Sequence, residues 1–369
     1  MIGRANHYGS PLDLPNDRPV ILLCKSRGNP NGFLCYNNTR YSRRERNGFM
    51  KELLIKPNDA GQRLDKFLQK AVPCLPAGLM YKYLRLKRIK VNGKRGEIRQ
   101  KLQTGDTIQL YINDEFFPQQ EAYDFLAAPP SIEVAYEDEN VMLVNKPQGL
   151  VVHEDSRNTP DTLIHRVLHT LYQRGEYDPK QEQSFTPALC NRIDRNTCGL
   201  VIVAKTAAAL RVLNEKIRNR EVQKEYLCVA VGVPGRKQGT LKNYLLKDSS
   251  ANRVKVFDAP RPGAKTAITH YRVLTSSGNL SLVQIRLETG RTHQIRAQMA
   301  HIGHPLLGDG KYGLGEENRR YGMVHQALCA YRVTFCFSTP AQELEYLKGK
   351  TVKLPSVWFC SRFFPDWRP

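Results

Sequence analysis

Asn191-Arg192-Ile193-Asp194-Arg195-Asn196-Thr197-Cys198-Gly199 runs directly into Leu200-Val201-Ile202-Val203-Ala204. The first nine residues are largely polar and set a carboxylate between two guanidinium groups; the next five are an apolar run of strand length. Thr206 follows as an N-cap for a helix carrying Leu210, Leu213 and Ile217 at helical spacing. The stretch reads as loop, strand and helix. Downstream, residues 221–231 alternate as a strand does, with Tyr226 and Cys228 on one face and Leu227 and Val229 on the other. Further strands are expected at residues 267–274, 280–287 and 331–337. Upstream, residues 132–136 and 141–145 read as two strands around the acidic turn Glu137-Asp138-Glu139-Asn140. Asp161 or Thr162 can then cap a helix bearing Leu163, Ile164, Val167, Leu168 and Leu171. The fold class is α+β: a mixed, largely antiparallel sheet flanked by helices. No Gly-rich phosphate loop interrupts it, so a nucleotide cofactor has no seat.

Residues 116–130, with Gln119-Gln120-Glu121 and Pro129-Pro130, read as a linker between this domain, placed at residues 131–358 with a tail at 359–369, and a smaller one at 50–115. Within residues 61–110 twelve basic side chains face three acidic ones. Leu64, Phe67, Leu68 and Ala71 have helical spacing, as do Leu79, Tyr83 and Leu86. Asn92-Gly93 signals a hairpin turn, and Gly105-Asp106 precedes a strand at 107–112. Residues 1–49 hold Gly, Pro, Asn and Arg without a period, and such a segment cannot offset its ordering entropy by burial. Met50 reads as the natural start of the folded chain, with the first 49 residues as an upstream, disordered extension. A transit peptide is the competing reading, opposed by Asp13, Asp17 and four prolines.

The chain has 369 residues, enough for about two cores. Lys plus Arg exceed Asp plus Glu by 56 to 35, a formal charge of +21. Charge of that size favours a polyanionic partner, RNA, DNA or an acidic membrane. Membrane ranks last, because no apolar run approaches the roughly 18–20 residues of a spanning helix. Nine cysteines, an odd number without a Cys-x-x-Cys pair, argue against disulfides and zinc ribbons and point to the cytoplasm. The zinc signature of nucleobase deaminases is missing too. His293, His301 and His304 read as ordinary helix-end and loop histidines, so neither metal nor cofactor is expected.

Asp194, flanked by Arg192 and Arg195, should stay ionised, as a nucleophile or electrostatic stabiliser must. Taken alone, the segment reads first as a loop ion pair, and Tyr226 reads first as a core aromatic. Two further motifs alter that balance. Lys224-Glu225-Tyr226 opens one strand, and Leu287-Glu288-Thr289-Gly290-Arg291-Thr292-His293-Gln294-Ile295-Arg296 precedes His301-Ile302-Gly303-His304-Pro305-Leu306-Leu307-Gly308-Asp309. Gly290 can begin a helix with Ile295, Met299 and Ile302 inward and Gly303 closing it.

Together these motifs resemble the RluA-type pseudouridine synthases, whose hallmark has His-Arg-Leu-Asp, two variable residues, then Thr-Ser-Gly. Asn191 and Cys198 depart from that pattern and put the substrate or subfamily in question. The resemblance implies that Asp194 is the essential carboxylate, that Tyr226 stacks on the flipped base and assists proton transfer, and that Arg296 pairs with Asp194. It makes Arg192, Arg291 and His293 supporting or RNA-contacting residues and sets Leu328, with His325 and Ala327, at the uridine pocket. Lys146-Pro147-x-Gly149 fits the family's first catalytic strand and turn, in a structural role. Arg63-Leu64-Asp65, residues 83–88, Val91-Asn92-Gly93 and Leu102-x-x-Gly105-Asp106 resemble the small α/β RNA-binding module named after ribosomal protein S four. Arg63, Arg85, Lys87, Arg88, Lys90 and Lys94 are its candidate phosphate contacts.

The function so implied is isomerisation of uridine to pseudouridine in structured RNA by a cytoplasmic monomer. Large-subunit ribosomal RNA is favoured, because family members with the added module mostly act there, and transfer RNA is the alternative. A nucleosidase would need a second cooperating carboxylate, for which Glu288 is the obvious candidate. A non-catalytic RNA clamp is the reading that Asn191 and Cys198 leave open.

Overall fold

The computed structural model describes residues 50–117, 123–154, 159–248 and 250–367, together with two short paired strands, Leu23–Cys24 and Phe33–Leu34. The expectations for residues 1–49 otherwise lie outside the described residues. The chain divides into two compact units, one formed by residues 1–56 and 60–119, the other by 57–59 and 120–369.

In the first unit β1 (Met50–Leu54), β2 (Ile89–Val91), β3 (Lys94–Arg95) and β4 (Thr107–Tyr111) form an antiparallel sheet in the order β1-β4-β2-β3. Two helices, α1 (Leu64–Ala71) and α2 (Ala77–Arg85), pack into the same core together with connecting residues such as Ile55, Leu75 and Leu102. Leu64, Phe67 and Leu68 lie one helical turn apart and are fully buried, and each such side chain contributes about 1.5–3 kcal/mol by leaving water. On α2 the buried set is Met80, Tyr83 and Leu84, not the expected Leu79, Tyr83 and Leu86. The helix stops at Arg85 and Lys87 takes a left-handed φ of 59°, which turns Leu86 out to solvent. Asn92 and Gly93 both have positive φ, the requirement of a two-residue hairpin turn.

The second unit is built on an eleven-stranded sheet. Its strands are β5 (Val134–Glu137), β6 (Val141–Lys146), β7 (Ala188–Leu189), β8 (Cys198–Ala204), β9 (Val222–Val231), β10 (Gln238–Asp248), β11 (Arg253–Phe257), β12 (Lys265–Ser277), β13 (Leu280–Leu287), β14 (Leu328–Phe335) and β15 (Thr351–Lys353). The order is β11-β10-β12-β13-β9-β14-β8-β6-β5, with β15 beside β14 and β7 beside β8. Every pairing is antiparallel except β8 with β14. The opening stretch of sequence thus lies at the centre. β8 is buried at all seven positions, because Leu200, Ile202 and Ala204 enter one hydrophobic cluster while Val201 and Val203 enter the cluster on the opposite face. Thr162 caps α3 (Leu163–Gln173) and Thr206 caps α4 (Ala207–Arg218), each through its side-chain oxygen.

Three expectations are corrected. The hairpin β10–β11 was not expected: it is an edge element, largely polar, with few buried positions. The tail placed at 359–369 is, over its described residues, part of the core, since the helix Trp358–Phe363 brings Phe359, Cys360 and Phe364 into one of the two main clusters. The later part of the linker is likewise packed: Phe125 is buried with its ring against His169 and Tyr172 of α3, and His169 Nδ1 bonds to the Ala128 carbonyl.

Candidate active site

The loop before β8 is pinned at both ends. The Asn191 side-chain oxygen accepts the Ile202 N–H at 2.8 Å, so this departure from the family pattern serves the backbone of the central strand. The Thr197 N–H closes a turn onto the Asp194 carbonyl at 3.0 Å. Beneath it the buried Lys146 ammonium donates to the carbonyls of Pro147, Leu150 and Arg195 at 2.7–2.8 Å. Burial pushes Lys146 down to about 8, which leaves it charged at neutral pH and able to tie the turn after β6 to the loop of Asp194. Gly199, at φ 110°, is the entry to the parallel pairing; a Cβ there would lie 2.2 Å from the Ala330 carbonyl oxygen. The second departure, Cys198, is buried with its thiol 3.5 Å from the Leu328 carbonyl.

A second element delivers the cation. The helix α5 spans Gln294–His301, starting later than the expected Gly290. Residues 289–293 are folded back instead, with the Gln294 side chain accepting from the Arg291 N–H and the Thr289 hydroxyl. Ile295 and Met299 face the core as expected, and Gly303 ends the helix with a φ of 83°. Arg296 donates from Nη1 to Asp194 Oδ2 at 2.9 Å. Its other two nitrogens grip Asp309, Nε to Oδ2 at 2.7 Å and Nη2 to Oδ1 at 2.9 Å. The Asp309 side chain is fully buried and that of Arg296 is 7 % exposed, whereas Asp194 is 30 % exposed. Burial raises the Asp309 carboxyl, but the hydrogen bonds and charge of Arg296 outweigh it and hold the group below its ordinary value. The same carboxylate accepts the backbone N–H groups of Lys311 and Tyr312.

His293 occupies a left-handed backbone position, φ 53°, with Nε2 3.9 Å from Asp194 Oδ2 and Nδ1 3.0 Å from the Tyr312 hydroxyl. Tyr226 is buried on β9 beside a bulge in its pairing with β14, in the same cluster as Ile193, Ile285 and Leu328. Burial first, and then the charge of Asp194, push the Tyr226 phenol up, so it stays protonated.

The structure therefore brings Asp194, Arg296, His293 and Tyr226 together, with Leu328 in the Tyr226 cluster. The cation bonded to Asp194 is Arg296, 102 residues away, as the resemblance implied, and not the flanking Arg192 or Arg195 that the segment taken alone suggested. Arg192 is exposed, and Arg291 is exposed with its Nε on the Thr266 carbonyl. His301 bonds to Asp258 and His304 to the Val231 carbonyl, each with its own partner. Sequence reasoning missed Asp309, Lys311 and Tyr312. Asp309 stood at the end of a quoted motif, yet its spacing from Arg296 carries no pattern that announces a buried pair.

In the first unit Arg85, Lys87, Arg88 and Lys94 are exposed. Arg88 lies over the Tyr83 ring and Lys90 over the Tyr111 ring. Arg63 instead forms a two-point pair with the buried Asp65 at 2.8 and 3.0 Å, so its guanidinium is engaged within the unit.

The site is thus a part-buried carboxylate, Asp194, on the loop leading into the central strand and clamped by an arginine. The family model for RNA pseudouridylate synthase matches residues 140–301. Ribosomal large subunit pseudouridine synthase D of Haemophilus influenzae is 33 % identical over 260 residues, covering 70 % of this chain and 75 % of that protein. The protein of the same name from Escherichia coli K12 is 34 % identical over 262 residues with the same coverage. An uncharacterized RNA pseudouridine synthase of Mycoplasma pneumoniae is 36 % identical over 280 residues, 74 % of this chain and 84 % of its own. The chain belongs to the RNA pseudouridine synthases. Within them it is of the RluA type, an isomerase acting on RNA. Among the described residues no helix is long and apolar enough to cross a membrane.

Proposed function

We propose that this enzyme converts uridines of large-subunit ribosomal RNA to pseudouridine, with Asp194 as the essential carboxylate. The observation that carries the reading is the one-sided clamp on Asp194. Arg296, itself fixed by the buried Asp309, bonds to Oδ2, while among the described residues Oδ1 accepts no hydrogen bond. A carboxylate held by a rigid cation is fixed in direction, and its second oxygen is left for the substrate.

The reaction breaks the bond between uracil N1 and ribose C1′, turns the base and joins C5 to C1′. N1 ends with a hydrogen and the C5 hydrogen leaves to solvent, so no redox partner or group donor is consumed. Asp194 serves this chemistry by adding to C1′ or by promoting proton loss at C2′. The protonated Tyr226, covered on its own sheet face, supplies a flat apolar wall for the flipped ring. The basic first unit, an S-four-like RNA-binding module, adds sequence-independent phosphate affinity through Arg85, Lys87, Arg88, Lys90 and Lys94. The enzyme works as a cytoplasmic monomer without a cofactor.

Ribosomal RNA is favoured over transfer RNA because two of the relatives carry large-subunit synthase names. Carbodiimide labelling with primer extension tests this, since pseudouridine has the mass of uridine. Cells lacking the gene should lose stops in large-subunit ribosomal RNA. Loss confined to transfer RNA would replace the substrate, and an unchanged pattern in both would overturn the reading.

A further inference from the structure

Tyr312 stands where three elements meet. Its hydroxyl accepts the Val254 N–H at 2.7 Å, and Val254 lies on β11, the outermost strand of the sheet. The same hydroxyl is 3.0 Å from Nδ1 of His293. Among the described residues these are its two hydrogen-bond partners. A backbone N–H can only donate, so the phenolic hydrogen has one acceptor within reach, the Nδ1 lone pair. In the reverse arrangement, with Nδ1–H donating, the phenolic hydrogen would have no acceptor among the described residues.

If Nδ1 accepts, the hydrogen of a neutral imidazole sits on Nε2, the atom 3.9 Å from Asp194 Oδ2. The ring is neutral at pH 7: burial pushes His293 down to about 4, with Asp194 and Asp309 pulling it up and Arg296 and Lys311 pushing it down. The left-handed backbone of His293 fixes where the ring starts, a conformation a non-glycine residue keeps only when its surroundings demand it.

We propose that Tyr312 is a positioning residue that holds His293 as its Nε2–H tautomer, so that a neutral N–H donor beside Asp194 bonds to an oxygen of the target nucleotide. This deepens, and rests on, the reading of Asp194 as the reacting carboxylate. A neutral donor suits the place. It offers a hydrogen bond without adding a second full positive charge that would compete with the sugar for the carboxylate. A bare Nε2 would instead set a lone pair against the carboxylate.

The tautomer is read directly by long-range proton–nitrogen NMR on protein labelled with nitrogen-15 histidine, at pH 7, without RNA. The His293 signals, assigned by their loss in His293→Gln, should show a protonated Nε2 and a bare Nδ1. A protonated Nδ1, or a doubly protonated ring, overturns the proposal. Tyr312→Phe keeps the ring over Arg296 and removes only the hydroxyl. It should mix the two tautomers and raise the His293 titration. On a large-subunit ribosomal RNA transcript it should lower kcat about tenfold with little change in KM, the size expected for loss of one hydrogen bond made in the transition state. His293→Gln, which retains a donor, should keep more activity than His293→Ala. Wild-type kcat in Tyr312→Phe would contradict the proposal. A transcript untouched by the wild-type enzyme would count against the substrate, while the NMR result would still decide the tautomer.

Discussion

Arg296 shares its guanidinium between two carboxylates that differ in exposure, and that difference separates their work. Asp309, fully buried, fixes the cation; Asp194, 30 % exposed, is left accessible. Removing one charge of a buried pair costs about 3–5 kcal/mol where the other is left uncompensated, which is an upper bound here because Arg296 keeps Asp194. Asp309→Asn should therefore lower stability by up to that amount in urea unfolding, and lower kcat as Arg296 loses its fixed direction. Unchanged stability would show that Asp309 does not hold the arginine. Acid should act through His293. Its folded value, about 4, lies below the ordinary imidazole range, so its contribution to stability is complete above about 6.5 and is lost as pH falls toward 4. His293→Gln should flatten the melting temperature across that window, and an unaltered slope would remove His293 as its source. The motifs that carry Asp194, Tyr226 and Arg296 were legible in the sequence, and the structure brings those three side chains together. Asp309 and Tyr312 were not legible there, because their roles depend on a loop folding back over α5.

At the scale of elements, the placement of Asp194 depends on β8 lying parallel to β14 while the other strand pairings described in that sheet are antiparallel. Gly199 permits that approach: a side chain there meets the Ala330 backbone and a φ of 110°. Gly199→Ala should shift the Asp194 loop and lower activity, together with a destabilisation of more than about 1 kcal/mol. Differential scanning fluorimetry beside a turnover assay checks both, and a stable, fully active variant would show that the close approach is not required. The caps at Thr162 and Thr206, the alternation of β9 and the apolar run of β8 could be read in advance because local chemistry and burial agree there. The hairpin β10–β11 could not: its mostly uncovered positions leave little apolar alternation to read. The helix Trp358–Phe363 escaped for a related reason, since six residues are too few to display a helical period.

Over the whole molecule, a formal charge of +21 is divided unevenly, and the first unit holds a basic surface of its own. Its two helices and its hairpin turn followed from spacing and turn residues, but the engagement of Arg63 by Asp65 did not, because neighbours in sequence say nothing of side-chain direction. The logarithm of the affinity for RNA should fall linearly with the logarithm of salt concentration. Replacing Arg85 and Arg88 with alanine should lessen that slope by about one for each phosphate no longer neutralised. Filter binding across a salt series measures it, and an unaltered slope would remove both residues from the phosphate path. The central claim is that one carboxylate, Asp194, carries the isomerisation while other parts of the chain hold the RNA. Ribosomal RNA carrying tritium at uridine C5 tests it most directly, because forming the new bond at C5 releases the label to water. Asp194→Ala should bind that RNA as the wild type does and release no tritium; release at the wild-type rate would contradict the account.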